Sequence, residues 1–484
     1  MIIRADTGRA PTPKEIVNAI SEYQTDWVPS IDALQKLYLT GDNLDSMYRM
    51  GVVDVKQKKL FFPIARYIAK ILSNYTLGEA PIYTLYDDGG EIVGAQGALD
   101  TITRLYRKQS KRKTDKDIKL EAGKCGFAYE ITYVDPKTLE PKSRMLPTES
   151  TFVVFSDEVI DDSLWACTWI KLADNSYKIH IYTKDESIVY EASMLSSFGT
   201  FREIDRQRHY IGRVPVTLYK NNRDMLGDYE SVRVLIETYN EAMTDVKFDI
   251  HRAVTGLLVF YNTQLAGKKA EEKAEIREAL KTLGVLELAG DPDNPQLPVD
   301  VKTLDSNLNI ANADVFIDRL WKTIFKLSNV PDPMQSEYFT AVSGVALKMQ
   351  QFLGLDQAAK DTAAEFDFAL KRRFKMYNTI LNIRGQAPLI DVGDVEIEFK
   401  LTAPQNDLEV AQMISLLYGK SIVTAESLAG QLSFVRDPNK EVEEAQAQNN
   451  ANSTSDILRQ LSAFGTMSEP QTTIAPQQEG GETM

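Results

Sequence analysis

Apolar residues recur at intervals of three and four over much of the chain, and this spacing predicts helices. Thr12, Pro13 and Glu15 form a capping-box pattern that places the start of the first helix. The longest predicted helix would measure roughly 60 Å, with a kink expected at Gly354, while Gly78 should end an earlier helix in the left-handed conformation. The predicted helices cover 13–23, 24–48 with a break near Gly41, 60–75, 101–124, 229–252, 270–283, 312–328, 343–383, 407–418 and 424–432.

A period of two replaces the helical period in the middle of the chain and predicts strands. Turn signals such as Asp135-Pro136 separate successive strands, so an antiparallel meander is expected. The predicted strands cover 82–86, 126–134, 151–156, 164–172, 177–183, 187–190, 253–261 and 395–401. The predicted fold class is therefore α+β and mainly helical.

Composition is that of a globular protein, with 43% hydrophobic and 26% charged residues. The formal net charge of −14 argues against a wide surface that clamps nucleic acid phosphates. The N-terminal sequence lacks the apolar region of a secretory signal, and the strongly apolar stretch 60–72 contains Arg66 and Lys70. We therefore expect a soluble intracellular protein without a membrane partner. Residues 446–484, rich in Gln, Asn, Ser and Thr, are predicted to form a disordered acidic tail.

The sequence contains none of the common motifs of enzymes or metal proteins. A phosphate-binding loop, a dinucleotide-binding glycine pattern and a nucleophile elbow are all missing. His180, His209 and His251 are isolated in the sequence, which favours structural or surface roles over metal binding. Cys125 and Cys167 are expected to be buried free thiols in a reducing compartment. We predict no catalytic residue, cofactor or metal ligand, and we expect that the chain is not an enzyme.

Basic residues are concentrated in the predicted helix over 101–124. They could contact nucleic acid, or they could form a solvated helix face or an intersubunit ion-pair surface. Segments that bind nucleic acid often alternate basic residues with several aromatic ones, and Tyr106 is the one aromatic residue among these basic residues. The solvated or intersubunit face is therefore favoured. The basic residues are Arg104, Arg107, Lys108, Lys111, Arg112, Lys113, Lys116, Lys119 and Lys124.

The predicted helix over 229–252 has an acidic face beside its apolar stripe. Like charges four residues apart destabilise a helix by roughly a few tenths of a kcal/mol per pair. Alone, such a face could be an ordinary exposed surface. In a ring of subunits it would line a channel with negative charge, to which DNA would not adhere. The acidic residues are Glu230, Glu237, Glu241, Asp245 and Asp249.

Four segments carry a resemblance to a known family. They are 74–83 (NYTLGEAPIY), 212–240 (with GRVPV, YKNN, GDYESV and LIETYN), 331–347 (with PDP and SGVAL) and 405–409 (QNDLE). In this order and spacing they resemble the portal proteins of tailed bacteriophages, especially of long, non-contractile-tailed phages of Gram-positive hosts. The second segment is the most specific. The resemblance extends over about 50–445, although 95–210 is similar only as an insert of helix and strands.

The resemblance implies the portal fold, which has a wing, a stem, a clip and a crown and assembles as a ring. The implied regions are 1–228 (wing), 229–252 (first stem helix), 253–310 (clip), 311–329 (second stem helix), 330–342 (tunnel loop), 343–404 (long wing helix and strand), 405–445 (crown) and 446–484 (tail).

The resemblance also implies a function and partners. A homo-oligomeric, usually dodecameric, ring at one capsid vertex would pass double-stranded phage DNA during packaging and ejection. Its implied partners are the major capsid protein, the scaffold, the terminase and the head–tail adaptor, in a virion assembled in the host cytoplasm. The implied tunnel loop has no Lys or Arg, so contact with DNA there would be steric, through Tyr338 or Phe339. The loop residues are Asp332, Met334, Gln335, Glu337, Tyr338 and Phe339.

Two other classes of protein compete with a portal as interpretations of the sequence. A packaging enzyme would need a phosphate-binding loop, which the sequence lacks. Another head–tail adaptor or capsid-associated structural protein is the alternative, but adaptors are usually far shorter and lack a long helix after the stop at 331–333. The sequence therefore favours a portal ring.

Overall fold

The computed structural model describes residues 3–5, 10–39, 45–50, 53–85, 95–157, 163–255, 257–261, 300–304, 310–334, 344–401, 407–417, 423–430, 432, 435 and 440–448. Backbone contacts separate the chain into two compact units, Met1–Thr402 and Ala403–Met484. None of the helices in these ranges combines the length and the apolar composition needed to cross a bilayer.

The helices of the first unit match most of the predicted ones. In chain order they are α1 (Pro13–Asp26), α2 (Val28–Leu39), α3 (Ile64–Leu77), α4 (Ala95–Lys108), α5 (Lys111–Cys125), α6 (Arg233–Thr255), α7 (Ile310–Leu327) and α8 (Gly344–Ile383). The capping box of α1 is confirmed: the N–H of Glu15 donates to Thr12 Oγ1 at 3.4 Å, and the Glu15 carboxylate accepts from the N–H of Thr12 at 2.7 Å. A turn of 3₁₀ helix, Glu230–Val232, leads into α6.

The strands of the first unit form sheets of different sizes. They are β1 (Arg4–Ala5), β2 (Asp45–Met50), β3 (Val53–Lys58), β4 (Ile82–Leu85), β5 (Phe127–Val134), β6 (Pro141–Leu146), β7 (Thr151–Ser156), β8 (Ser163–Lys171), β9 (Tyr177–Tyr182), β10 (Glu186–Ala192), β11 (Arg202–Arg208), β12 (Val216–Lys220), β13 (Leu257–Tyr261), β14 (Asp300–Leu304) and β15 (Val395–Glu398). Strands β7 to β11 pair in sequence order, which confirms the predicted antiparallel meander, and β1 joins β7 in parallel. A second sheet has the order β12-β5-β6, and β2-β3, β13-β14 and β4-β15 are antiparallel pairs.

Buried side chains connect these elements. Ile16, Ile20 and Tyr23 of α1 are at most 2% exposed and pack on the meander sheet, and burying each contributes about 1.5–3 kcal/mol. The long helix α8 uses successive turns of one face, Phe366, Leu370 and others, to cover α4, α5 and β15. A third cluster joins α2, α3, α6, α7 and the first part of α8. The helix that carries the acidic face is thus packed into the first unit by its apolar stripe.

The helix predicted up to residue 48 is wrong at its end, because Asp45–Met50 is a strand. It pairs with Val53–Lys58, and Met50 lies opposite Val53. In the sequence Gly51 lies between the two strands, and a glycine at such a place is a hairpin signal.

Two other helix predictions are also wrong in detail. The single helix over 101–124 is two helices, which meet at Gln109 and Ser110, where Ser110 has a φ of 53°. Neither residue is Gly or Pro, so the sequence contains no ordinary stop signal there. The predicted left-handed glycine is also wrong, because α3 ends at Leu77 with Gly78 at a φ of −64°.

The sheet prediction assigned one strand wrongly and missed several. β5 was expected in the meander, but it lies between β12 and β6 in the second sheet. Besides β2, the strands that were not predicted are β1, β3, β6, β11, β12 and β14. All residues of β11 are exposed, so this strand lacks the alternation of apolar and polar residues that reveals a half-buried strand.

The second unit contains the helices α9 (Asp407–Leu417) and α10 (Ala425–Ala429) and a helix over 440–448. Thr424 caps α10, because its Oγ1 accepts from the N–H of Ser427 at 3.2 Å. Residues 446–448 are therefore helical, although the disordered tail was predicted to begin at 446. The rest of that tail, and the helix predicted at 270–283, lie outside the described residues.

Candidate functional site

α6 has a buried apolar face and an exposed acidic face on the other side of the helix. Val232, Ile236 and Tyr239 are buried among α3, α7 and α8. Glu241 and Asp245 are exposed. The apolar contacts fix the rotation of the helix about its axis, so these two carboxylates point away from the core.

The other residues of the acidic face have different surroundings. The Glu230 carboxylate accepts from the N–H of Gly227 at 2.8 Å, which helps to start the helix. Glu237 forms an ion pair with Arg233, whose Nε donates at 2.9 Å. The side chain of Asp249 lies outside the described residues. Among the side chains of this face that the structure describes, Glu241 and Asp245 are therefore the ones available for an electrostatic role.

The start of α6 is held by the motif that gave the most specific resemblance. Lys119 of α5 donates from Nζ to both carboxylate oxygens of Asp228 at 3.0 Å and to Asn221 Oδ1 at 2.8 Å. The side chains of Lys119 and Asp228 are 1% and 5% exposed. Tyr229, also buried, donates from its hydroxyl to the carbonyl oxygen of Leu34 at 2.8 Å. A buried ion pair thus connects α5 to the residues that lead into α6.

Glycines allow this segment to approach α5 closely. A Cβ atom at Gly123 would lie 2.2 Å from an oxygen of Asp228, and one at Gly126 would lie 1.9 Å from the carbonyl oxygen of Met225. Gly126 also has a φ of 86°, which disfavours any side chain. The end of α5 and the motif before α6 therefore require glycine at both positions.

The basic residues of 101–124 do not form one surface. The predicted solvated face is wrong for Lys111 and Lys119, which are at most 3% exposed. Others are exposed with protein partners: Lys108 pairs with Glu140 at 2.9 Å and Arg112 with Glu79 at 2.8 Å. The basic run is therefore partly a set of internal ion pairs. Arg104, Arg107, Lys113 and Lys116 are exposed.

Arg373 of α8 is the centre of a buried charged cluster that sequence analysis missed. Its guanidinium contacts Asp115 of α5 through both terminal nitrogens, at 3.1 Å for Nη2 and Oδ2, and lies 3.5 Å from both carboxylate oxygens of Glu130. The Lys111 ammonium is 3.3 Å from Glu130, and the Tyr106 ring lies 4.9 Å from the guanidinium carbon. One charged cluster thus joins α4, α5, α8 and β5.

The pKa values of this cluster show how burial and charge compete. Burial by itself would raise the pKa of Glu130, but the charges of Arg373 and Lys111 hold that pKa below its ordinary value. Burial lowers the pKa of Lys111, and Glu130 offsets this only in part. Burial opposes the charge of Arg373, yet the nearby Asp115 carboxylate holds the pKa of Arg373 above its ordinary value. The cluster is stable as long as Arg373 balances the two carboxylates.

The segment after α7 is described only at its beginning. Asp332 Oδ1 accepts from Trp321 Nε1 at 2.8 Å and from the N–H of Met334 at 2.9 Å. The Met334 side chain is 73% exposed. The remaining predicted loop residues, Gln335, Glu337, Tyr338 and Phe339, lie outside the described residues.

Two of the histidines line a cleft of about 1070 Å³ between the meander and the β12-β5-β6 sheet. His209 Nε2 donates to the carbonyl oxygen of Thr183 at 3.0 Å, and its Nδ1 accepts from the N–H of Ile211, so the neutral ring satisfies both nitrogens. Burial lowers the pKa of His209 and of His180. Among the described residues, no three His, Cys, Asp or Glu side chains are grouped to hold a metal ion. Cys125 and Cys167 are buried free thiols, as predicted.

The structure thus gives a packed helix α6 with an exposed acidic pair, and a buried ion pair holds the residues that lead into it. A model of the phage portal proteins of the SPP1 Gp6-like type matches residues 23–455. The chain belongs to this family. The portal protein of Bacillus phage SPP1 is 23% identical over 336 residues, which cover 66% of this chain and 63% of that protein. The chain thus spans less than two thirds of the length of this relative, and the family membership rests on the longer match.

Proposed function

We propose that this family member forms a ring-shaped channel at one capsid vertex, through which double-stranded DNA is packaged and ejected. The observation that carries the proposal is the exposed acidic pair Glu241 and Asp245 on a helix whose other side is fixed in the core. A negatively charged wall does not displace counterions from the phosphates of DNA. DNA therefore gains no binding free energy from it and can move along it without adhering. The proposed role is structural and not enzymatic.

The proposed regions follow the portal architecture. Residues 1–228 would be the wing, α6 and α7 the stem helices, the region between them the clip, and the helices after residue 405 the crown. The long helix α8 would lie in the wing. The clip would bind first the terminase and then the head–tail adaptor, while the wing would contact the major capsid protein and scaffold. The ring, usually dodecameric in this family, would be part of the virion.

In this proposal the segment after α7 is the tunnel loop. Its predicted members carry no Lys or Arg, so Tyr338 and Phe339 would contact DNA sterically and not through phosphate pairing. Both the acidic stem and a loop without cations would guide DNA through the channel without holding it there.

Reversing the charge of the acidic pair should make the channel retain DNA. The assembled Glu241→Lys/Asp245→Lys variant should bind linear double-stranded DNA about tenfold or more tightly than the natural protein at low salt, because lysines on the wall release counterions from phosphates. The logarithm of the association constant should fall linearly with the logarithm of the salt concentration. Filter binding or fluorescence anisotropy over a salt series measures this.

The matched control is Glu396→Lys/Glu398→Lys, which makes the same change in net charge on exposed positions of β15. This control should gain much less affinity for DNA, because these residues would lie outside the channel. Equal affinity of the two variants would show that only net charge matters and would contradict the assignment of α6 to the channel wall.

A further inference from the structure

α7 is followed by a turn in which one carboxylate oxygen has two donors. Asp332 Oδ1 accepts from the indole Nε1 of Trp321 on α7 at 2.8 Å and from the backbone N–H of Met334 at 2.9 Å. A hydrogen bond to a charged acceptor is stronger than one between neutral groups. The carboxylate of Asp332 is therefore turned towards α7 and fixes the backbone two residues further along.

The residues before Asp332 are fixed as well. Asn329 has a φ of 57°, which reverses the chain, and the N–H of Val330 donates to the carbonyl oxygen of Phe325 at 3.3 Å. The Val330 side chain is 4% exposed. A Cβ atom at Gly354 of α8 would lie only 3.1 Å from the Cβ of Asn329, so the turn is in close contact with the long helix. The turn is thus held between α7 and α8.

Trp321 connects this turn to the helix that carries the acidic face. Its ring centroid lies 5.4 Å from that of Tyr239 on α6 and 4.8 Å from that of Phe325 on α7. Aromatic pairs at such distances contribute about 0.5–1.5 kcal/mol beyond their burial. Asp332 is therefore connected through one side chain to both helices that we propose as the stem.

We propose that Asp332 is a positioning residue, which sets the root of the tunnel loop relative to α6 and α7 and does not itself contact DNA. The role of the loop in this inference rests on the proposed function. The hydrogen bonds that connect Trp321, Asp332 and Met334 are present in the folded chain whatever that function is. The shared acceptor oxygen connects Trp321 on α7 with the backbone N–H of Met334. Met334 therefore has a defined place relative to α7.

Hydrogen–deuterium exchange of the full chain tests the connection, using peptides that cover 325–343 and peptides from the meander as a reference. Asp332→Ala should raise exchange in the first set about tenfold, since both hydrogen bonds are lost. Asp332→Asn keeps an acceptor oxygen and should stay near the natural protein. Trp321→Phe, which keeps the ring and loses the donor, should be intermediate. Asp314→Ala, an exposed position on α7, is the matched control and should change nothing.

The inference is overturned if Asp332→Ala exchanges like the natural protein over 325–343. It is also overturned if exchange rises equally in the meander, because Asp332 would then contribute only to general stability. Failure of the proposed function gives a different result: the local rise and its rescue by asparagine would persist, while an image of the assembled ring would show the segment after α7 away from the channel.

Discussion

Replacing Arg373 with methionine should lower the free energy of unfolding of the first unit by about 3–5 kcal/mol. Methionine fills most of the space but leaves the carboxylates of Asp115 and Glu130 buried without their main counter-charge. Removing one partner of a buried ion pair is expensive because the remaining charge has no access to water. Lys111 compensates only in part, since it contacts Glu130 and burial already lowers its own pKa.

Denaturant unfolding followed by tryptophan fluorescence measures this loss, because all 4 tryptophans lie in the first unit. Natural and variant proteins are compared at equal concentration, so that assembly contributes equally. Lys375→Met, which removes a positive charge from an exposed position of the same helix, should change the free energy of unfolding by less than about 0.5 kcal/mol. Similar values for the two variants would contradict the account of the cluster.

The cost of Arg373→Met should also depend on pH. In the natural protein the pKa of Glu130 is held below its ordinary value, so its contribution to stability is present above that value and is lost as the pH falls through the lowered pKa. In the variant, burial would raise the pKa of Glu130, and the cost of its charge would disappear once the carboxyl is protonated. The difference between the two proteins should therefore be largest near neutral pH. It should begin to narrow above pH 4.5, the ordinary pKa of Glu, as the carboxyl in the variant is protonated, and should narrow further below that pH. A difference that grows in acid would contradict this.

Lys119→Met should have an effect of similar size, about 3–5 kcal/mol, because it leaves Asp228 buried without a counter-charge. It should also loosen the start of α6, since Asp228 and Asn221 lose their shared donor. Exchange of the backbone amides over 226–236 should therefore rise more than exchange in the meander. The same fluorescence measurement gives the free energy of unfolding.

Lys116→Met is the matched control for this prediction. Lys116 lies one turn before Lys119 on α5 and is exposed, so its loss should be nearly neutral. If the Lys119 and Lys116 variants unfold alike, the buried pair does not hold α5 to the residues before α6. If Lys119→Met is destabilised without a local change near α6, the pair stabilises the core but has no special part in placing that helix.

The elements with a clear apolar period could be predicted from sequence to within a few residues. The helix over 60–75 is one example, since its buried positions recur every three or four residues. β9 is another, since buried and half-buried positions alternate along part of it. Elements without such a period were missed. β11 is exposed along its whole length. Part of β2 was predicted as the end of a helix and β3 was not predicted, although Gly51 lies between them in the sequence and is a hairpin signal.

The charged cluster was missed because its basic residues occupy core positions of their helices, where apolar residues are expected. Arg373 lies in the apolar stripe of α8, three residues after Leu370 and four before Tyr377, so its position is that of a core residue. Lys111 and Lys119 likewise occupy the buried face of α5. Charged residues at core positions are the signal, but only the structure shows that carboxylates from other elements meet them. Treating all basic residues of 101–124 as surface residues therefore hid the fact that Lys111 and Lys119 are buried.

The candidate site was predicted in part. The acidic face of α6 was found from spacing, and the structure exposes Glu241 and Asp245, but it shows that Glu230 and Glu237 have local partners. Which exposed face of a helix lines a channel depends on the neighbouring subunits, and the sequence of one subunit does not encode that in a visible pattern. The position of these residues in a ring stays a prediction.

Electron cryo-microscopy of the purified, assembled protein tests the central claim most directly. We expect closed rings with a central channel, in which α6 borders the channel and Glu241 and Asp245 face its interior. A clean monomer at high concentration, or a ring in which Glu241 and Asp245 face outwards, would contradict the proposed DNA channel.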